Sequence, residues 1–281
     1  MKGKKSIIKG LIIKALIFVF ITAIIIISLG PLLWVFVSSF KTNREILSGG
    51  LGLPSVFSFK NYIDALTIAP IPQFYFNSII VSIVATVGNV FLLSMAAYTI
   101  ARFDWKYNGF FTMMFSVGLL IPGAALLQPL YQTMTTAHLN DSLTGLIIIY
   151  MAFGLPSTIY IMRSYFKTIP REMEESAYMD GSGFFRTFVS IILPIAKPAL
   201  GTAAILEFLL CWNEFQFALS LTSSNSKRTL PIALYYFKSQ FASNYGAMFA
   251  ATIMVVVPSI FVYIALQEQV VSGLAAGAVK G

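Results

Sequence analysis

Six apolar stretches, each long enough to cross a lipid bilayer, constrain the fold of this chain more than any other feature of its sequence. A membrane-spanning helix needs about 20 predominantly apolar residues, and all of these stretches reach that length. Each Leu, Ile, Phe or Val at a helix centre favours insertion by about 0.3–0.6 kcal/mol, so a full stretch gains several kcal/mol. The pattern predicts an all-α integral membrane protein with six transmembrane helices, over residues 15–37, 74–100, 109–131, 143–165, 199–221 and 247–266.

The composition indicates the same class. Hydrophobic residues make up 57% of the 281 residues. Charged residues make up 11%, whereas a typical soluble domain has about 25%. So little charge does not cover the surface of a soluble fold, and the apolar excess must face lipid. We find no low-complexity tract and no second domain, so we predict a single membrane domain over residues 1–281.

Few kinds of chemistry are open to this chain. It has one cysteine, Cys211, and one histidine, His138, which excludes an intrachain disulfide and a metal site built from Cys and His. It has no Gly-x-x-x-x-Gly-Lys-Ser/Thr phosphate loop, so we expect it not to bind or hydrolyse ATP itself. We therefore predict a protein that is not an enzyme, with no catalytic residue, no metal site and no cofactor of its own.

The distribution of basic residues predicts the orientation. The 19 lysines and arginines form no continuous stripe, which argues against a nucleic-acid partner. Basic residues are enriched in short cytoplasmic loops. With both termini in the cytoplasm, the predicted spans leave only six basic residues outside, namely Lys41, Arg44, Lys60, Lys227, Arg228 and Lys238. We therefore expect both termini to be cytoplasmic, with a first span too long for a signal peptide.

The predicted cytoplasmic loop over residues 166–198 has the pattern of two helices joined by a sharp turn. Pro170 suits the first turn of a helix, and Glu172, Glu174 and Glu175 favour the positive end of its dipole. Glycine readily adopts backbone angles that other residues avoid, so the run 180–183 predicts the turn.

A second, amphipathic helix is expected after the turn. Phe184, Phe188, Ile191 and Ile192 recur at helical spacing. Two interpretations of the whole element remain open: a helical loop lying on lipid headgroups, or an elbow that fits a groove on a soluble partner. Membrane-surface helices usually carry a basic polar face. The first half of this element is acidic, which favours a protein partner.

This loop resembles the EAA motif of bacterial binding-protein-dependent ABC permeases. The family pattern runs Glu-Ala-Ala, then Asp-Gly, then Leu-Pro. The chain matches it with Glu175, Ser176 and Ala177, with Asp180 and Gly181, and with Leu193 and Pro194, where Ser176 replaces an alanine of the family.

The resemblance extends over almost the whole chain, to the maltose-type (MalG-like) carbohydrate branch. The matching segments are 39–43, 61–62, 77–78, 121–122, 129–131, 155–156, 212–215 and the C-terminal 273–281. The last span differs, because Glu268 follows Leu266 and Gln267 where members usually carry a basic residue. That difference leaves the local charge pairing open.

The resemblance implies the function and the partners. It implies a permease subunit of an ATP-driven importer of a di- or oligosaccharide in the bacterial cell membrane, forming half of the pathway. The implied partners are a second homologous permease subunit, two ATP-binding cassette ATPase subunits that bind ATP and Mg, an extracytoplasmic sugar-binding protein and the lipid bilayer. A secondary transporter or channel and a membrane-embedded enzyme are the rival classes, although acidic residues within the spans are few.

The resemblance also implies roles for the loop residues. The loop would be the coupling helix that docks into a cleft on the ATPase, with Ala177 and Asp180 in its motif. Glu174 and Glu175 would pair with a basic residue of the ATPase. Gly181 and Gly183 would provide the turn, and Leu193 and Pro194 would anchor the loop against the helix bundle. Contact of the C-terminal tail with the ATPases and a frayed tail are both open.

The translocation pathway is predicted around Trp212, Asn213, Glu214 and Phe215. Aromatic and amide side chains suit sugar rings, although the same cluster fits a hydrogen-bonded contact with the partner permease. Polar side chains within spans are functional candidates because their desolvation is unfavourable. The other candidates are Asn77, Asn89, Gln128, Glu207 and Gln216.

Overall fold

The computed structural model describes residues 2–237 and 244–278, with side chains over residues 10–237 and 244–267. The described part is built from helices and turns and contains no strand. It divides into two compact units. One contains the chain up to Ala69 and the segment ending at Met254, and the other contains Pro70–Tyr235 and the chain from Val255 onwards.

The helices of the described residues are named in chain order. They are α1 (Lys2–Ser38), α2 (Asn43–Leu47), α3 (Lys60–Ile68), α4 (Ile71–Arg102), α5 (Asn108–Gly118), α6 (Leu127–Thr136), α7 (Leu143–Phe166), α8 (Glu172–Met179), α9 (Phe184–Thr187), α10 (Leu193–Ile195), α11 (Lys197–Asn213), α12 (Gln216–Leu221) and α13 (Tyr245–Ala278). Tighter 3-10 turns occupy Gly123–Leu126 and Leu230–Phe237, and a wider π-helical turn occupies Phe188–Ile192.

In the first unit, the connection after α1 is ordered by a reciprocal helix cap. The Thr42 side chain accepts from the Glu45 N–H over 3.3 Å, and Glu45 Oε2 accepts from the Thr42 N–H over 2.7 Å. Glu45 Oε1 also accepts from the Ser55 N–H over 2.9 Å. These hydrogen bonds, those of Ser55 above all, lower the pKa of the Glu45 carboxyl to about 2.

Three long helices, α4, α7 and α11, form the core of the second unit, and α4 packs against both of the others. Small buried residues such as Ala85 and Ala203 let the helices approach closely. The buried Asn89 amide donates to the Met151 backbone oxygen over 2.8 Å and accepts from Thr158 Oγ1 over 2.7 Å. Because an unpaired amide is unfavourable in an apolar core, this pairing fixes the register of α4 against α7.

Four of the predicted spans coincide with single helices long and apolar enough to cross a membrane. These are Gly10–Ser38, Ile71–Arg102, Leu143–Phe166 and Tyr245–Gln267. Two bent pairs pass the same test, Asn108–Gly118 with Gly123–Thr136 at 98°, and Phe184–Ile195 with Lys197–Asn213 at 82°. The chain is therefore a multi-pass membrane protein, and the count of six crossings stays a prediction.

The structure replaces two of the predicted continuous helices by two segments each. The segment predicted over 109–131 breaks between Gly118 and Gly123, where Pro122 has an extended backbone and no N–H to donate. The segment predicted over 199–221 breaks at Glu214 and Phe215, between α11 and α12. Both breaks lie inside apolar sequence, which hydrophobicity alone does not reveal.

Asp141 fixes the loop that follows α12. Its Oδ1 accepts from the N–H groups of Ser223 and Ser224 over 2.9 and 3.0 Å, and its own N–H donates to the Leu221 oxygen. Burial raises the pKa of the Asp141 carboxyl, but the hydrogen bonds from Ser224 and Ser223 outweigh burial and bring this pKa below its ordinary value of 3.8.

We expect Asp141→Asn to lower the thermal unfolding midpoint at neutral pH and to change how stability depends on pH. The lowered pKa means that the ionised carboxylate stabilises the folded chain above pH 3.8, and that this contribution is lost as the pH falls from 3.8 through the folded pKa. The stability of Asp141→Asn should not show this decrease at low pH. Thermal unfolding of the purified chain against pH measures it, with Asp104→Asn as control because the Asp104 side chain is 93% exposed. Equal pH dependence in Asp141→Asn and wild type would contradict the assignment.

Candidate functional site

The segment between α7 and α11 folds as the predicted helix–turn–helix. α8 begins after Pro170 and ends at Met179, and the chain then turns into α9. Gly181 has φ +79°, a left-handed conformation that favours glycine. The Gly181 N–H donates to the Tyr178 oxygen, and the Ser182 N–H donates to the Ala177 oxygen over 2.9 Å. This pair of bonds is the Schellman pattern of a helix end, which explains why the turn lies at this glycine.

A buried ion pair attaches this segment to the end of α4. Arg102 Nε donates to Glu174 Oε1 over 2.7 Å, and Arg102 Nη2 donates to the Ile169 backbone oxygen over 2.7 Å. The two side chains are only 6% and 10% exposed. Since Arg102 lies in the last turn of α4, its charge also complements the negative end of that helix dipole. The pair therefore links α8 to a core helix.

An aromatic cluster holds the second half of the segment. The Tyr98 ring on α4 lies 5.4 Å from the Phe184 ring and 5.1 Å from the Phe188 ring. It also contacts Phe166 at the end of α7, at 5.5 Å. Aromatic pairs at such distances add about 0.5–1.5 kcal/mol each beyond the burial of their surface. The element is thus fixed to the ends of both α4 and α7.

The opposite face of the segment is exposed and carries apolar side chains among charged ones. Met179 is 88% exposed, Phe185 56% and Met173 44%. Glu175 lies on the same exposed side. Flexible methionines beside an aromatic ring and an acid make a surface suited to a groove on another protein.

The predicted motif residues take different places in this geometry. Glu174, expected to face another subunit, instead has its charge paired inside the chain, while Glu175, Asp180, Gly181 and Gly183 are exposed. Ala177 lies on the buried face of α8.

The anchoring pair of the motif is divided in the same way. Leu193 packs against the core that contains Tyr98 and Phe188, whereas Pro194 is exposed in the first turn of α10. Pro194 has no N–H for the helical ladder, and the chain before it forms the π-helical turn.

The predicted pathway cluster is divided between internal and exposed residues. Trp212 is buried, and its Nε1 donates to the Val255 oxygen over 3.2 Å. The Glu214 carboxylate accepts from Tyr150 Oη over 2.8 Å and from the Phe217 N–H over 2.7 Å, so it caps α12. Trp212 and Glu214 thus have partners within the chain. Asn213 and Phe215 are exposed, although the Asn213 amide also hydrogen-bonds within the chain. A role in the pathway or in an interchain contact stays a prediction for all four residues.

Sequence reasoning missed the close contact between Gly154 on α7 and Glu207 on α11. Glu207 is 2% exposed, and no described residue hydrogen-bonds its Oε2. A Cβ at position 154 would lie 2.5 Å from Glu207 Oε1 and nearer still to Oε2. The two positions are far apart in sequence, so no local pattern reveals the contact.

Several sequence-based expectations concern residues outside those whose side chains the structure describes. These are the basic residues up to Lys9, Lys238, Glu268 and the C-terminal segment 273–281. Among the described residues, no group of three or more His, Cys, Asp and Glu side chains is placed to hold a metal ion.

Comparison with known proteins identifies a family and several similar chains. The model of the family described as binding-protein-dependent transport system inner membrane component matches residues 88–274. A diacetylchitobiose uptake system permease protein of Streptomyces coelicolor is 35% identical, over 90% of this chain and 84% of that protein. A trehalose transport system permease protein of Mycobacterium tuberculosis is 36% identical, over 92% of this chain and 95% of that protein.

A solved structure has the same fold. A chain of a bacterial ABC transporter involved in the import of the acidic polysaccharide alginate superposes with a TM-score of 0.79. The match covers 93% of this chain and 96% of that chain, at 23% identity.

Proposed function

We propose, for a chain that belongs to the family of binding-protein-dependent transport system inner membrane components, that it is a permease subunit of an ATP-driven carbohydrate importer of the maltose-type branch. It is a transport subunit rather than an enzyme. Members of this family work with ATPase and substrate-binding components. The chain therefore performs one part of the task, the passage through the membrane and its connection to the ATPase.

The proposed assembly needs several further components. A second homologous permease subunit completes the pathway, two ATP-binding cassette subunits bind ATP and Mg, and an extracytoplasmic protein delivers the sugar. A di- or oligosaccharide is the proposed substrate. It is supported by relatives whose names specify diacetylchitobiose and trehalose, both disaccharides.

The observation that carries the proposed mechanism is the braced elbow of residues 172–195. Its apolar face is exposed for docking, while the Arg102–Glu174 pair and the Tyr98 cluster attach its other face to α4 and α7. A displacement of the elbow by an ATPase is therefore transmitted to core helices rather than absorbed by a loose loop. ATP changes the population of inward- and outward-facing states only through its different affinity for the two.

In this proposal Glu175, Met179 and Phe185 contact the ATPase. Glu174 holds the elbow from within, and Gly181 and Gly183 shape the turn. The elbow then lies in the cytoplasm, where ATP is available, and both termini lie on that side. The positive-inside distribution of basic residues supports this orientation.

We expect Met179→Asp to weaken association with the ATPase subunits by about tenfold or more, because it places an uncompensated charge at the centre of an apolar contact. Co-purification of the complex and ATP hydrolysis stimulated by the loaded binding protein measure the effect. Leu51→Asp is the matched control, since Leu51 is 86% exposed on the segment predicted to lie outside. Normal association and stimulated hydrolysis in Met179→Asp would refute the docking surface.

A further inference from the structure

A groove runs along one face of α7 where it passes α5 and α6. Near the elbow of residues 172–195, a cavity of about 80 Å³ is lined by Arg163 and Tyr160 of α7 and by Thr112 of α5. Further from the elbow, an apolar cavity of about 200 Å³ is lined by Ile149 and Ala152 among others. Both cavities include Pro156, where they meet. Residues three or four apart share a helix face, so the α7 residues form one continuous strip.

Arg163 gives this groove a positive charge without a counterion among the described side chains. Its side chain is half-buried, and its Nε is buried with no hydrogen-bond partner among the described residues. Neither α5 nor α7 contains an acidic residue, so neither wall supplies a compensating charge. A partly buried guanidinium with unused donors is unfavourable, and it favours an anion with several oxygens.

The dimensions of the strip match one leaflet of a bilayer. At 1.5 Å per residue, the axial distance from Ile149 to Arg163 is about 21 Å. A bilayer with its headgroup regions is about 40–45 Å thick, so one leaflet is about as long as the strip. The turn between α4 and α5, at the same end as Arg163, exposes Trp105 and Tyr107 beside Lys106. Aromatic and basic side chains together mark the headgroup level.

We propose that this groove binds one anionic glycerophospholipid, with its phosphate on Arg163 and an acyl chain along α7 towards Ile149. The orientation proposed above puts this lipid in the cytoplasmic leaflet, where basic pockets between membrane helices hold anionic headgroups. A zwitterionic lipid carries its own cation, which competes with Arg163 for the phosphate. A carboxylate of a partner subunit would pair with Arg163 as well, but it would leave the apolar cavity at Ala152 unfilled.

The test uses the complete transporter, delipidated in detergent and titrated with phosphatidylglycerol or phosphatidylcholine. Native mass spectrometry counts the retained lipid, and thermal unfolding measures the stabilisation. Wild type should retain phosphatidylglycerol selectively, and Arg163→Gln should weaken that binding by about fivefold, the effect expected of one basic residue at a headgroup. Arg163→Lys should restore most of it. Lys167→Gln, an exposed position at the same helix end, should bind as wild type.

A second variant addresses the apolar end of the groove. Ala152→Phe fills the apolar cavity and should weaken phosphatidylglycerol binding although Arg163 is intact. Three results would overturn the proposal: equal lipid retention by wild type and Arg163→Gln, equal stabilisation by glycerol phosphate without acyl chains, or dissociation of the subunits by Arg163→Gln with lipid retention unchanged. The second would identify a soluble anion as the ligand, and the third a carboxylate of the partner subunit.

Discussion

Replacing Gly154 by alanine should destabilise the chain strongly, although it adds a single methyl group. The new Cβ would overlap the Glu207 carboxylate, which is 2% exposed and enclosed by the core helices. Overpacking a close-packed core is unfavourable by about 1–3 kcal/mol, and displacement of a buried carboxyl places this variant at the upper end. We expect a fall in the thermal unfolding midpoint of about 6–12 °C, measured on the purified chain in detergent.

Two other glycines provide graded controls for this prediction. Gly30→Ala in α1 should be neutral, because no atom lies within 4 Å of the added Cβ. Gly88→Ala should have a smaller effect, because it meets only the flexible end of Met151, at 3.0 Å. Removing the obstructing side chain in Gly154→Ala/Glu207→Ala should recover part of the loss. If the double variant is no more stable than Gly154→Ala, the steric explanation is wrong.

Glu174→Gln should uncouple ATP hydrolysis from transport. The substitution keeps an oxygen acceptor but removes the negative charge, so Arg102 stays charged and buried with only neutral oxygens as acceptors. Breaking a buried ion pair on one side is unfavourable by about 3–5 kcal/mol. We expect α8 to detach from α4 without global unfolding, since the apolar core beneath it is unchanged. Hydrogen exchange over residues 172–183 should rise, and hydrolysis stimulated by the binding protein should fall in the assembled transporter.

A neighbouring glutamate and a double variant separate the pair from a general charge effect. Glu172→Gln lies on the same helix but is exposed, so it should leave both measurements unchanged. In Arg102→Met/Glu174→Leu both charges are replaced by apolar side chains of similar size, which is often neutral in buried pairs. This double variant should restore the protection of α8 from hydrogen exchange. Unchanged exchange in Glu174→Gln would show that the pair does not hold the elbow.

The elbow and most of the spans could be predicted because their signals are local. Pro170, the acidic first turn and Gly181 act within a few residues of chain, and the structure places the helix and the turn where they indicate. Long apolar runs likewise predict helices from composition alone. The direction of the helices could not be predicted, because the hydrophobicity of a segment contains no information about a bend at Pro122 or at Glu214.

Side-chain partners depended on contacts that no local pattern contains. Glu174 and Glu175 are adjacent, yet only Glu174 faces Arg102, which approaches from a helix 72 positions earlier in the chain. For Glu214 a role in the pathway stays a prediction, but its helix was expected to continue to residue 221. Because α11 ends at Asn213, the Glu214 carboxylate accepts from N–H groups in the first turn of α12, so the helix boundary was the missing information.

The helix Gly10–Ser38 buries none of its most apolar window within the described chain, whereas Leu143–Phe166 buries 44% of its window. Side chains surrounded by hydrocarbon need only be soluble in it, so leucine, isoleucine, valine and phenylalanine are interchangeable there. Natural selection then preserves the overall hydrophobicity of the first helix and the side-chain packing of the second. Among descendants of one ancestor, the apolar residues of the first helix should vary freely, while positions such as Gly154 should stay the same.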